Sequence, residues 1–169
     1  MKPIKKIIFS AMLLVFALAA YAATAPVLQL LPNSNAVKGF GVLSGSLQYG
    51  KGDDLTKIYD GGYELYTKGG VIDAARQMYQ KKKEYVEVTI HTMKSEKVAI
   101  DFLKYWQKEN KIKSLTKSAA SNGFLVSKPN TSAYFVKQKY FYTVSTFRSD
   151  TAAKQSVNAF VTAIAKRIK

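Results

Sequence analysis

The sequence predicts an α+β fold: one antiparallel sheet of about six strands with helices packed on it. Three observations carry this. Apolar residues alternate along residues 84–93, as in a strand with two different faces. They recur every three or four residues along 96–109 and again after 150, as in amphipathic helices. No long linker, internal repeat or low-complexity tract separates these segments, so they belong to one core.

The chain opens with a targeting pattern. Lys2, Lys5 and Lys6 precede an apolar run over 7–20, and Ala20-Tyr21-Ala22 fits a small-x-small cleavage site. Residues 1–22 therefore read as a signal peptide cleaved near Ala22, and the protein is expected to be exported to a periplasm or beyond the cell. The run is short for a membrane-crossing helix. Residues 23–36, with Pro26 and Pro32, read as an extended lead-in to a single domain over 37–169.

Composition removes several chemistries. There is no cysteine, which excludes disulfides, thiol catalysis and thiolate metal sites. The single histidine, His91, excludes a histidine-rich metal centre within one chain. Lysine and arginine number 26 against 11 acids, for a net charge of +15, of which the leader supplies three positive charges. Arginine occurs only at Arg76, Arg148 and Arg167. Because arginine makes the bidentate contacts that read bases, this lysine-dominated charge argues against a specific nucleic-acid partner. It suits a solvated surface, or an encounter with polyanions or an anionic membrane surface.

In order, residues 37–49 alternate in part and are punctuated by Gly39, Gly41 and Gly45. They read as a hairpin or one bent strand with Phe40, Val42 and Leu47 inward. Residues 55–66 carry a helical rhythm in Leu55, Ile58, Tyr59, Tyr63 and Tyr66, with Asp53 and Asp54 at the start, where acids suit the helix dipole. Gly61 and Gly62 interrupt that rhythm and imply a local break or a close backbone approach. Gly69-Gly70 closes the helix. Residues 71–80 have helix-favouring composition but precede a clear strand, and are read as its hairpin partner with Lys81–Lys83 as a polar tip.

Along 84–93, Val86, Val88 and Ile90 face one way while Tyr85, Glu87, Thr89 and His91 face the other. Ser95 caps a helix over 96–109, whose stripe is Val98, Ala99, Phe102, Leu103, Tyr105 and Trp106. Residues 108–117 lead out as a lysine-rich loop. Residues 124–126 begin a strand stopped by Pro129, and 132–136 and 140–147 form an aromatic hairpin around Lys137–Lys139. Ser149 or Asp150 caps the closing helix, with Val157, Phe160, Val161, Ile164 and Ile168 on its apolar side.

The run Asp60-Gly61-Gly62-Tyr63-Glu64-Leu65-Tyr66, followed by Gly69-Gly70, Tyr79 and the strand over 85–93, resembles a family of uncharacterised bacterial secreted domains. That family has an Asn-Gly-Gly-Ala-Glu-x-Tyr core after a short helix; here Asp60 replaces the asparagine and Tyr63 the alanine. The resemblance implies a fold and not a mechanism. The order of elements also resembles the α/β/α sandwich of PsbP-like extrinsic photosystem proteins, by analogy of architecture.

Residues 23–169 contain no phosphate-binding loop, dinucleotide fingerprint or Gly-x-Ser-x-Gly elbow. The expected function is an exported, non-catalytic binding or assembly domain without a cofactor. Its recognition surface is expected at Asp60, Gly61, Gly62, Tyr63, Glu64 and Tyr66, taking a small ligand or an envelope protein. One alternative is an envelope hydrolase using Asp60 and Glu64, one helical turn apart if the glycine pair stays helical, with His91. The other is lysine-driven binding of polyanions or an anionic membrane surface.

Overall fold

A computed structural model describes residues 25–118 and 121–169; the signal peptide read at 1–22 lies outside the described residues. A helical turn α1 (Pro26–Gln29) precedes two short strands, β1 (Gly41–Val42) and β2 (Gln48–Lys51). A 3-10 segment (Gly52–Lys57) and a short helix α2 (Tyr63–Lys68) lead into the long hairpin of β3 (Val71–Lys81) and β4 (Glu84–Met93). Helix α3 (Glu96–Glu109) follows. Strands β5 (Thr116–Ser118), β6 (Ser121–Val126), β7 (Ser132–Lys137) and β8 (Tyr140–Thr146) come next, and helix α4 (Thr151–Arg167) closes the fold.

The sheet runs β1-β3-β4-β8-β7-β6-β5, with β2 also paired to β3, and its pairings are antiparallel. Strand β8 returns beside β4, so the two longest hairpins meet at the sheet centre. Alternation then divides the side chains between two cores. Val86, Val88 and Ile90 of β4, with Phe135, Tyr142 and Val144, pack beneath Val157, Phe160, Val161 and Ile164 of α4. On the other face Met93, Phe124, Val136 and Phe141 pack beneath Ala99, Phe102 and Leu103 of α3. The result is a helix–sheet–helix sandwich, the α+β class read from the sequence, with eight strands where about six are expected.

Both capping assignments hold. The Ser95 hydroxyl accepts from the Val98 amide at 3.2 Å, and the Asp150 carboxylate accepts from the Ala153 amide at 2.9 Å. Strand β3 is a strand despite its composition, because it is paired on both sides.

Three expectations change. The 23–36 lead-in is not simply extended: Pro26 opens α1, and Val27, Leu30 and Leu31 are buried in the core under α4. Their spacing puts all three on one side of a helical turn, and proline suits a first helical position. Residues 37–49 form neither one hairpin nor one strand, since β1 and β2 pair with successive parts of β3. Phe40 is buried, but Val42 and Leu47 are exposed on this sheet edge. Residues 55–66 do not form one helix. Gly61 and Gly62 adopt φ of 82° and 71°, separating the 3-10 segment from α2.

Candidate functional site

The β3, β4, β8 and β7 strands carry a row of direct cross-strand partners: Arg76 opposite Thr89, Thr89 opposite Thr143, and Thr143 opposite Tyr134. These side chains share the α3 face of the sheet, flanked by Glu87 and Ser145, themselves opposite one another. Polar residues at a sheet centre covered by helices leave a hole that apolar side chains do not fill. The structure has a cavity of about 120 Å³ there. Trp106 of α3, Tyr66 of α2 and Tyr59 from the break before it complete its lining, with His91 beside them.

The break positions the aromatic wall. By turning the chain between the 3-10 segment and α2, Gly61 and Gly62 let Tyr59 and Tyr66 lie face to face. Their ring centroids are 3.7 Å apart and their planes 14° apart. Tyr66 also stacks parallel to His91 at 5.5 Å and meets Phe102 edge-on at 5.8 Å. Leu55 and Ile58 are buried in the α3-side core and anchor the segment.

His91 is buried and both its nitrogens are used. Nδ1 donates to the Phe141 carbonyl at 3.0 Å, because a carbonyl oxygen can only accept. Nε2 of the neutral ring therefore accepts from the Tyr59 hydroxyl. Burial lowers the His91 pKa from 6.5 to about 4, against the Phe141 carbonyl, which favours the proton, and with Arg76, which opposes it. Burial likewise pushes the Tyr59, Tyr66 and Tyr134 phenols up, so all stay protonated. The cavity thus presents neutral aromatic hydroxyls and a neutral imidazole around one cation, Arg76, and one acid, Glu87.

That cation is incompletely partnered. Arg76 Nε lies 3.7 Å from the Glu87 carboxylate, close enough to attract it but too far for a hydrogen bond. The guanidinium also sits 5.7 Å from the centre of the Tyr59 ring. Arg76 Nε and Trp106 Nε1 are both buried with no hydrogen-bond acceptor among the described residues. Two residues lining one polar cavity, each with an orphan donor, are the distinctive feature of this face.

The fold is similar to that of the extracellular domain of PknH from Mycobacterium tuberculosis. The TM-score is 0.51 at 13% identity, over 83% of this chain and 95% of that one. No family model matches the sequence, and no curated protein does. At this identity the likeness concerns the fold.

Of the six residues expected at the site, the structure brings only Tyr66 to the cavity. Asp60, Gly61, Gly62 and Glu64 are exposed, and Tyr63 is half-buried against the α3-side core. The glycine pair is not helical, so Asp60 and Glu64 do not share a helical face, and neither lines the cavity beside His91. Arg76, Glu87, Thr89, Trp106, Tyr134, Thr143 and Ser145 are the lining residues that motif reading passes over. Their signal is the polar alternate set along β4, Glu87-Thr89-His91, which is costly on a covered sheet face unless it serves something. Among the described residues, no three histidines, cysteines or carboxylates gather as a metal site, and no helix is long and apolar enough to cross a membrane.

Proposed function

We propose that this chain is an exported binding domain that takes a small polar ligand into the cavity between the sheet and helices α2 and α3. The carrying observation is that two residues lining one polar cavity, Arg76 and Trp106, each bury a donor without an acceptor, Nε and Nε1. Buried donors in folded chains are nearly always paired, and an unpaired one costs about 1–3 kcal/mol. A ligand that supplies acceptors removes that cost. Export rests on the leader pattern at 1–22 and is supported by the fold's likeness to an extracellular domain. Membership in the family of secreted domains suggested by residues 60–66 belongs to the same reading. In it, Tyr66 forms part of the cavity wall. The hydrolase alternative lacks its geometry, since Asp60 and Glu64 do not converge with His91.

The test is native mass spectrometry of the protein purified from its own envelope fraction, alongside Tyr66→Ala. A bound mass present in the wild type and lost in the variant supports the reading. A ligand-free wild type, or a ligand retained equally by both, refutes the site.

A second reading has its own observation. Lys81, Lys82, Lys83 and Glu84 share a surface patch with Arg148, which pairs with Asp150, and Phe147, next to Arg148 in the chain, is 67% exposed. Lysines and an exposed aromatic ring suit an anionic lipid surface. Cosedimentation with phosphatidylserine vesicles that falls steeply with salt supports it; binding to neutral vesicles alone, or none, refutes it.

A further inference from the structure

We propose that the ligand of this cavity is a small carboxylate bearing a hydroxyl group, its carboxylate oxygens received by Arg76 and the Trp106 indole. This names the ligand class of the site argued above and rests on that cavity being the recognition site. The first argument is the balance of donors and acceptors. His91 offers nothing to a ligand, because Nδ1 is committed to the Phe141 carbonyl and Nε2 to Tyr59. Arg76 and Trp106 both line the cavity, and the guanidinium Nε of one and the indole N–H of the other are buried without an acceptor. Both groups can only donate, so the ligand must bring acceptor oxygens. A carboxylate is the planar acceptor that guanidinium matches, and hydrogen bonds to charged groups are the stronger ones.

The second argument is Glu87. Its carboxylate stands 3.7 Å from Arg76 Nε on the same wall and can only accept. A bare anion beside it meets repulsion, whereas an anion with its own O–H gives Glu87 a partner. The Thr89, Thr143 and Ser145 hydroxyls rotate to donate or accept and fit either end of such a molecule. The third argument is size. At about 120 Å³ the cavity has the volume of roughly four waters, a size that suits a compact acid. The net charge of about +12 that is left once the leader's three lysines are removed favours an anion's approach.

Trp106 is the only tryptophan, so its indole N–H is a single assignable signal in an amide spectrum. The purified protein is titrated with glycolate, acetate and glycerol, with sodium chloride as the ionic-strength control. The expected result is a saturable indole shift with glycolate, about threefold or more weaker affinity for acetate, and no response to glycerol. Arg76→Gln weakens glycolate binding at least about tenfold while keeping a cooperative melt. Trp106→Phe, read on the Thr89 and Thr143 amides, also weakens it. An equal response to glycerol, or unchanged affinity in Arg76→Gln, overturns the carboxylate assignment. So does silence toward all three probes. The binding-domain reading survives each of these if a native ligand mass is still lost in Tyr66→Ala, and falls if none is found.

Discussion

Tyr59 donates its phenolic proton to Nε2 of His91, whose Nδ1 donates in turn to the Phe141 carbonyl across the β4–β8 ladder. This chain of two hydrogen bonds ties the irregular segment before α2 to the middle of the sheet. It also fixes the imidazole as neutral, with one nitrogen a donor and the other an acceptor. A protonated ring would present two donors and lose the acceptor that Tyr59 needs. The histidine is thus a pin holding the cavity wall, and its titration is coupled to folding.

The stability of the protein should fall as pH drops from about 6.5 toward about 4. The folded His91 pKa is lowered to about 4 from 6.5, so between those values the unfolded chain binds the proton and the folded chain does not. The contribution is complete above the unfolded value and disappears as pH falls through the folded one. At about 1.4 kcal/mol for each pKa unit it amounts to roughly 3 kcal/mol. Urea denaturation across this range, wild type against His91→Gln, measures it. Carboxylates titrate in both proteins, so the difference between the curves reports the histidine. Parallel curves would contradict a buried neutral ring.

Tyr59→Phe keeps the ring stacked on Tyr66 and removes only the hydroxyl. Nε2 of His91 is then a buried acceptor without a donor, at a cost of about 1–3 kcal/mol. The expected result is a lower denaturation midpoint with an unchanged denaturant slope. An equally stable variant would mean that the Tyr59–His91 bond is not made in solution.

Gly61 and Gly62 are required for conformation and Gly123 for space. A Cβ at either of the first two meets nothing within 4 Å, but both residues have left-handed φ. Alanine there should cost about 1–2 kcal/mol of backbone strain per residue. At Gly123 in β6 a Cβ would run into the Tyr134 carbonyl oxygen and the Phe135 ring, both on neighbouring β7. Gly123→Ala should therefore destabilise more than either single change at the break, and thermal melts of the three variants compare them directly. Equal melting temperatures would remove the distinction.

The parts of this structure legible in the sequence are those set by periodicity and local chemistry. The alternation of Val86, Val88 and Ile90 announced β4, and Ser95 and Asp150 announced the two long helices through a single side-chain bond each. The conflict at Gly61-Gly62 marked the break. Leu47 and Val42 misled because an edge strand needs no inward partner, and a two-residue strand such as β1 has no period to detect. Arg76 and Trp106 were invisible as a site because β3 and α3 are separate elements, brought together only by the order β3-β4-β8-β7 beneath α3. A contiguous motif such as 60–66 contributes one residue to a cavity that is assembled across strands.

Tyr66 and Glu64 separate those two views. They belong to the same motif, yet Tyr66 stacks on Tyr59 and lines the cavity while Glu64 is exposed. Truncating Tyr66 to alanine removes one face of the stack and the edge contact to Phe102. Full burial of an aromatic ring puts such a loss at about 3–5 kcal/mol, and this half-buried ring should give roughly 2. Tyr66→Leu should recover part of that stability by refilling the space, without restoring the flat wall. Glu64→Ala should leave the denaturation midpoint unchanged, since its carboxylate makes no hydrogen bond or ion pair among the described residues. If the cavity is the binding site, ligand capture follows Tyr66 and is insensitive to Glu64. Binding lost in Glu64→Ala and kept in Tyr66→Leu would place recognition on the exposed loop, and the cavity would then be a solvent-filled packing gap.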